Sequence, residues 1–322
     1  MERESLIEVE QITRYYGEQL AANNVSFTVN RGDILGFLGP NGAGKTTTME
    51  IISGVLAASS GRVRVAGHDI TAAARQAKQH IGFLPEHPPL YPDLCVDEYL
   101  FYSAKLRRIK PGKMTEAVAE SKARCGLEDV GKRLINNLSK GYQQRVGIAQ
   151  AIIHTPSVII LDEPTSGLDP IQILEIRELI RELGKDHSVI LSTHILHEVQ
   201  SVCNRVLIIN EGKLVLDQDL NHLHENSSQT KHIRIALNTP PGIEKLLAVD
   251  GVEKVEMVDD RHFILMYRSE NDIADNIVQQ SVACDWGLFE LTPEGDSLEA
   301  TFMRLTRGEA PAQGNEEESK IP

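Results

Sequence analysis

The chain has 322 residues, of which 41% are hydrophobic and 25% charged, a composition typical of a soluble globular protein with one ordinary domain and a smaller appendage. The formal net charge of −13 argues against general nucleic-acid binding, because such proteins present a basic surface. No apolar run reaches the roughly 20 residues of a membrane-spanning helix, and residues 1–9 lack the features of a secretory signal. We therefore expect a cytoplasmic protein.

The cysteines give no indication of a metal or disulfide site. Cys95, Cys125, Cys203 and Cys284 are far apart and form no paired spacing. Zinc sites and disulfide frameworks both depend on such spacings. We interpret these residues as buried or incidental thiols.

The first two thirds of the chain predict an α/β domain. Residues 6–10 and 25–29 alternate as strands do, and the apolar run 33–38 leads directly into a glycine-rich loop. A helix is expected from about Lys45 to Ser53-Gly54, where the pattern ends. Further short apolar runs, separated by helical stretches, predict a parallel sheet covered on its faces: 81–84, 158–161, 189–191 and 206–209.

Composition divides the chain into segments. We expect a nucleotide-binding domain at 5–220 with a helical insertion at about 96–136, and a polar linker at 221–230. A small α+β domain is expected at 231–307, followed by a disordered tail at 308–322 that is too polar to bury. The pattern in the small domain predicts strands at 231–237, 252–257 and 262–267 and a helix at 271–284.

The glycine-rich loop matches G-x-x-x-x-G-K-[ST], a phosphate-binding loop. Its glycines let backbone N–H groups point into one concavity, Lys45 meets the terminal phosphates, and Thr46 coordinates magnesium. Because the match lies between a predicted strand and a predicted helix, we interpret it as an ATP-binding site. The predicted nucleotide-binding residues of the loop are Gly39, Pro40, Asn41, Gly42, Ala43, Gly44, Lys45, Thr46 and Thr47.

A pair of carboxylates follows a second buried strand. The run 158–161 places Asp162 at the carboxyl end of the predicted sheet, where ligands bind in such folds. Asp162 is predicted to hold magnesium through water. Glu163 follows at once and is predicted to activate the attacking water as general base.

A third motif identifies the family. Leu138-Ser139-Lys140-Gly141-Tyr142-Gln143 precedes the Asp-Glu strand by one helix, and it resembles the signature of the ATP-binding-cassette (ABC) family, usually L-S-G-G-Q. The resemblance covers about residues 5–220, with the motifs in the expected order. A P-loop kinase would not explain the signature, which is predicted to contact a partner's ATP through Ser139, Lys140, Gly141 and Tyr142.

The resemblance implies roles for residues outside these motifs. Tyr16 matches the aromatic residue that stacks on adenine, and His194 matches the switch histidine that contacts the γ-phosphate. The loop that contacts the opposite subunit corresponds to Ser166, Gly167, Leu168 and Asp169. In the family, two ATP molecules are enclosed between two head-to-tail subunits, so a second ATP-binding subunit, identical or a close paralogue, is an implied partner.

Two departures from the family pattern stand out. Glu86 replaces the usual glutamine that contacts magnesium and water, and a carboxylate can ligate magnesium but cannot donate a hydrogen bond when ionised. Glu86 is therefore a further candidate ligand for magnesium, and it lacks the hydrogen-bond donor that glutamine would offer to the attacking water. Lys140 and Tyr142 replace glycine and glutamine in the signature, and Lys140 would add a cation near a phosphate.

The resemblance also implies a transport role. Residues 87–94 are apolar and proline-rich, which suits docking of a membrane-spanning permease subunit, and 296–306 resemble the end of the extra domain of bacterial ABC-2-type exporter ATPases of the gliding-motility and multidrug type. An exporter ATPase held at the inner face of the membrane by its permease is thus expected, with no nucleic-acid partner. The alternative is a soluble ABC ATPase acting on ribosomes or DNA.

Overall fold

The computed structural model describes residues 4–220, 230–268, 273–294 and 302. The chain forms two compact units, Met1–Leu220 and Asn221–Pro322. The predicted tail at 308–322 and nearly all of the predicted linker lie outside the described residues, as does most of the segment 296–306.

The first unit contains an antiparallel sheet and a mostly parallel sheet. Its strands, in chain order, are β1 (Ser5–Tyr16), β2 (Gln19–Asn30), β3 (Ile34–Leu38), β4 (Ser60–Val65), β5 (His68–Asp69), β6 (Ile81–Leu84), β7 (Val158–Asp162), β8 (Ser188–Thr193), β9 (Arg205–Asn210) and β10 (Lys213–Asp219). The antiparallel sheet has the order β2-β1-β4-β5, and the other sheet has the order β10-β9-β3-β8-β7-β6. In the second sheet only β10 pairs antiparallel.

The helices lie between these strands. They are α1 (Lys45–Ile52), α2 (Ala74–Gln79), α3 (Val96–Leu106), α4 (Pro111–Cys125), α5 (Lys140–Ile152), α6 (Pro170–Gly184) and α7 (Leu196–Val202). The α3 and α4 helices occupy the segment in which the sequence predicts a helical insertion. Pro111 starts α4 where its missing N–H costs nothing, and Gly126 follows its last residue in the left-handed conformation.

The parallel strands form the centre of the first unit. Every residue of β7 and β8 is buried, because helices cover both faces of the sheet. The carboxyl ends of β3, β6, β7 and β8 meet at one edge, since these strands pair in parallel. This edge carries the glycine loop and the Asp162-Glu163 pair.

The second unit is a ferredoxin-like α+β fold. It consists of β11 (Thr230–Leu237), α8 (Ile243–Leu247), β12 (Val252–Met257), β13 (His262–Arg268), α9 (Ala274–Ala283) and β14 (Leu288–Glu294). The strands pair antiparallel in the order β12-β13-β11-β14, which is the arrangement of a split β-α-β-β-α-β unit. Its core is built around Ile235, Phe263, Leu265 and Trp286.

The described residues hold no cluster of three or more His, Cys, Asp or Glu side chains placed to bind a metal. The four cysteines are free thiols, and burial raises the pKa of the Cys125 thiol to about 12. None of the helices in the described part of the chain is long and apolar enough to span a bilayer.

Candidate active site

The phosphate loop connects β3 to α1. Gly42 and Gly44 adopt positive φ angles of 79° and 100°, a region that glycine reaches at no steric cost. Gly44 also approaches β2 so closely that a Cβ would collide with the carbonyl oxygen of Ala21. The glycine of the motif is therefore required here by both backbone conformation and space.

Lys45, the first residue of α1, points back into the loop. Its Nζ donates hydrogen bonds to the carbonyl oxygens of Gly39 (2.9 Å) and Pro40 (3.3 Å). Nζ also lies 3.4 Å from Oε1 of Glu163, and the lysine side chain is only 6% exposed. A buried ammonium at a helix start makes the loop an anion-binding site.

Asp162 lies at the end of β7 and is fully buried. Its Oδ1 accepts a hydrogen bond from Ser192 of β8, whereas its Oδ2 is buried with no hydrogen-bond partner among the described residues. Burial raises the pKa of this carboxyl, and the Ser192 and Thr46 hydroxyls oppose the increase. An orphan carboxylate oxygen beside a threonine hydroxyl is a donor set that fits Mg²⁺, which uses few protein oxygens and completes its shell with phosphate and water.

Glu163 is held by two neighbours. Its carboxylate lies 3.0 Å and 3.2 Å from Nδ1 of His194 and also contacts Lys45. The residue has φ of +47°, which costs of order 1 kcal/mol for a residue other than glycine. The surrounding contacts thus fix the carboxylate at the mouth of the loop.

Residues of the glycine loop share one cavity of about 520 Å³ with Glu163 and His194, whereas Asp162 is not part of its described wall. The predicted site residues on its wall are Tyr16, Asn41, Gly42, Gly44, Lys45, Thr46, Thr47, Glu86, Glu163, Ser166 and His194. Gln19 and Ala21 of β2 also line it and were not predicted, although their position just after Tyr16 in a hairpin was a usable signal. Tyr16 is 45% exposed, and the Arg14 guanidinium lies 5.0 Å from its ring centroid.

The signature residues 139–142 lie at the start of α5. Ser139 caps α5, with its Oγ accepting the N–H of Tyr142 at 3.4 Å. Gly141 packs against Gln172 of α6. Among the described residues on the wall of the phosphate-loop cavity, none comes from 139–142. The described wall of the phosphate-loop cavity is thus built without the signature of its own chain.

The loop at 166–169 leads into α6 and contacts the signature residue Lys140. The Lys140 Nζ lies so close to Gly167 that a Cβ there would collide with it. Leu168 packs against the core, and Oδ1 of Asp169 accepts the N–H groups of Ile171 (3.0 Å) and Gln172 (2.9 Å) as the cap of α6. Lys140 thus contacts the loop of its own chain.

Comparison with known proteins places this site in a family. The family model described as "ABC transporter" matches residues 22–166. The bacitracin transport ATP-binding protein BcrA of Bacillus licheniformis is 37% identical over 316 residues, which covers 94% of this chain and 98% of BcrA. The chain belongs to the ABC transporter ATP-binding protein family. This ABC ATPase is also 35% identical over 308 residues to the linearmycin resistance ATP-binding protein LnrL of Bacillus subtilis (strain 168), covering 94% and 98% of the two chains.

Solved structures agree with this assignment. A structure described as the ATP binding subunit of an ABC transporter matches with a TM-score of 0.62 and 28% identity, covering 68% of this ABC ATPase and 92% of that chain. A second, the dimeric post-hydrolysis ATP-binding cassette MJ0796 bound to ADP and Pi, matches in fold with a TM-score of 0.61 and 23% identity, covering 67% and 99%. The predicted fold class is confirmed, and the protein is an ATP-binding and ATP-hydrolysing transporter subunit.

Proposed function

We propose that this ABC ATPase drives an exporter by closing around two ATP molecules as a dimer of identical or closely related subunits. The observation that carries the proposal is the absence of residues 139–142 from the described wall of the phosphate-loop cavity of the same chain. A second subunit is needed to bring a signature to each nucleotide. Export is supported by the relatives named for bacitracin transport and linearmycin resistance.

Nucleotide binding follows from the cavity. The backbone N–H groups of residues 39–47 and the Lys45 ammonium would hold the phosphates, and Tyr16 would stack on adenine with its exposed ring. Magnesium, held by Thr46 and Asp162 with Glu86 as a further candidate ligand, would neutralise charge on the β- and γ-phosphates when bound. Ser139 and Gly141 of the other subunit would add the amino-terminal end of α5 as a second anion site.

Hydrolysis is assigned to Glu163 and His194. Glu163 would accept a proton from the attacking water, because its carboxylate lies on the wall of the cavity near the phosphate loop. His194 would orient that carboxylate through Nδ1, at 3.0 Å, and would contact the γ-phosphate. Binding of phosphate to Lys45 competes with the contact between Lys45 and Glu163 and releases the base.

A groove next to the nucleotide cavity is the proposed docking surface for a permease. This groove, of about 360 Å³, is lined by Glu86, His87, Pro88, Leu90, Pro92, Ile135, Asn136, Lys140, Gln143, Gln144 and Ser166. Exposed aromatic rings lie nearby, with Tyr91 and Tyr102 at 5.6 Å between ring centroids. Glu86 and Ser166 line both the groove and the nucleotide cavity, so they would connect permease contact to the phosphate site. Docking would hold the ATPase at the inner face of the bacterial membrane.

The chain is proposed to contain two domains. We assign 5–220 to the ATP-binding domain, including the helical insertion at about 96–136, and 231–307 to an accessory domain. The boundary between the compact units after Leu220 supports this division.

Replacement of the base tests the proposal. Glu163→Gln should bind ATP but lose hydrolysis, and ATP should convert it to a stable dimer on gel filtration. An Asp186→Asn variant, changed at an exposed ion pair with Arg124, is the matched control. Hydrolysis by Glu163→Gln at the wild-type rate would disprove the assigned mechanism. Recovery from membranes with a multi-spanning protein supports the transport role, whereas recovery only with ribosomes or DNA refutes it.

A further inference from the structure

The α7 helix carries a buried carboxylate that the mechanism above does not use. Glu198 is 1% exposed. Its Oε1 accepts a hydrogen bond from the Thr165 hydroxyl at 2.6 Å, and its Oε2 accepts one from the Thr193 hydroxyl at 2.7 Å. One side chain therefore holds two separate segments of the active-site edge.

The two threonines flank the proposed catalytic residues. Thr165 lies between Glu163 and the loop at 166–169, and Thr193 immediately precedes His194. The Thr193 hydroxyl also accepts the N–H of Ile195 at 3.1 Å, which fixes the turn on the other side of the histidine. Glu198 thus connects the backbone around His194 to the loop that is proposed to contact the other subunit.

The helix that presents Glu198 has little freedom to move. Val199 packs directly on β3, where a Cβ at Gly36 would lie 2.6 Å from Val199 Cγ1. On the other side, a terminal guanidinium nitrogen of Arg177 of α6 lies 3.9 Å from Glu198 Oε1. The α7 helix is therefore packed on the strand that leads into the phosphate loop, and its carboxylate lies near a cation of the helix that follows 166–169.

A buried carboxylate costs free energy unless donors compensate it. Here the compensation comes from the hydroxyls of Thr165 and Thr193, with Arg177 more distant. Charge-assisted hydrogen bonds of this kind are short and directional, so a shift of either threonine is resisted by the other. An apolar residue at this position could fill the space but could not join the two segments.

We propose that Glu198 is a positioning residue that couples His194 to the 166–169 loop. The paired hydroxyls hold the loop in a fixed position relative to His194, so a histidine placed on the γ-phosphate also sets the loop for its contact with the second subunit. The inference rests on the proposed roles of His194 and of the loop. Glu198 itself does not contact the nucleotide cavity, as its near-complete burial and absence from the described wall of that cavity show.

Three substitutions test the coupling. Thr165→Val and Thr193→Val each remove a hydrogen bond to Glu198 while keeping the shape of the side chain. Glu198→Gln also keeps the shape, but it replaces one acceptor oxygen with an NH2 group and removes the negative charge that strengthens both bonds. We expect kcat for ATP hydrolysis to fall about tenfold, the effect of one such bond, with KM for ATP changed less than about twofold because the phosphate loop is intact. Ser121→Ala, which removes a buried hydroxyl bond to Val118 in α4, is the control for stability loss alone.

A double-mutant comparison separates coupling from folding. Each threonine substitution should lower kcat in the wild-type background but should have little further effect in Glu198→Gln. In a Glu163→Gln background, Glu198→Gln and Thr193→Val should also reduce the fraction of ATP-dependent dimer on gel filtration.

Two results would overturn the inference. One is a wild-type kcat in Glu198→Gln or in both threonine variants, together with a loss of melting temperature like that of Ser121→Ala. The other is a threonine effect of equal size in both backgrounds. If Glu198→Gln fails to fold, the threonine variants alone decide. Failure of the proposed function is recognised separately, because Glu163→Gln would then hydrolyse ATP normally.

Discussion

The Nζ of Lys45 lies 3.4 Å from Oε1 of Glu163, and both side chains are more than nine-tenths buried. The cation of the phosphate loop is therefore paired with the residue proposed as general base. A phosphate bound at the proposed site would compete with Glu163 for the same ammonium, which would link nucleotide binding to release of the proposed base.

The first prediction concerns this lysine. Lys45→Ala removes the buried cation and should weaken ATP binding about 10- to 100-fold, since a hydrogen bond to a charged group contributes roughly 1.5–3 kcal/mol. The measurement is titration calorimetry with ATP. Lys185→Ala, at an exposed ion pair with Glu182, should bind ATP as the wild type does. Equal affinities for the two variants would show that Lys45 does not bind phosphate.

The second prediction concerns the glycine that abuts β2. Gly44→Ala should lower the free energy of unfolding by about 1–3 kcal/mol, because alanine is strained at φ of 100° and its Cβ meets the Ala21 carbonyl. Gly112→Ala in the first turn of α4 is the matched control, since its Cβ would enter open space. It should be neutral or stabilise by up to about 1 kcal/mol. Urea denaturation distinguishes these outcomes, and similar losses in both variants would contradict the strain argument.

The third prediction concerns adenine. Tyr16→Ala should weaken ATP binding about tenfold, whereas Tyr16→Phe should retain it, because stacking depends on the ring and not on the hydroxyl. The adjacent Tyr15 is 49% exposed but does not line the cavity, so Tyr15→Ala should leave affinity unchanged. Affinity of Tyr16→Ala equal to that of Tyr15→Ala would remove Tyr16 from the site.

The fourth prediction concerns pH and stability. Burial, aided by the nearby Arg107 charge, lowers the pKa of His154 to about 3, while its ring contacts the Ile81 carbonyl oxygen at 3.1 Å. The unfolded state takes up a proton below about pH 6.5 and the folded state resists it to about pH 3. Stability should therefore fall as pH drops through this window, by up to about 1.4 kcal/mol per pH unit.

Urea denaturation between pH 4.5 and pH 7.5 measures this effect. His154→Gln should flatten the pH dependence, whereas His87→Gln, at an exposed histidine, should preserve it. An unchanged slope in His154→Gln would mean that other groups determine the acid sensitivity.

Local sequence patterns predicted much of this fold. The strands at 81–84 and 252–257 have the bounds expected from their apolar and alternating patterns. The β4 strand was not predicted, although valines that alternate with Arg62 and Arg64 are typical of a half-exposed strand. The separate antiparallel sheet was also not anticipated, since pairing between β1 and β4 joins segments far apart in the chain.

In the candidate site, too, contiguous motifs were predictable from the sequence, whereas contacts between distant segments were not. The motifs at 39–47 and 162–163 are contiguous, so the sequence alone indicates their chemistry. Glu198 gave no such signal, because a glutamate on a helix is usually solvated, and only the fold brings Thr165 and Thr193 to it. The contact of Lys140 with Gly167 likewise depends on how α5 and the loop pack.

Each active site is proposed to be shared between two chains. Mixing two inactive variants tests this proposal most directly. Lys45→Ala damages the phosphate loop and Ser139→Ala damages the signature, so each variant alone should hydrolyse ATP slowly. A mixed dimer contains one site with both lesions and one with neither. Mixing the purified variants should restore a substantial part of the wild-type ATPase rate. A rate equal to the average of the two separate variants would show that the sites are not shared between chains.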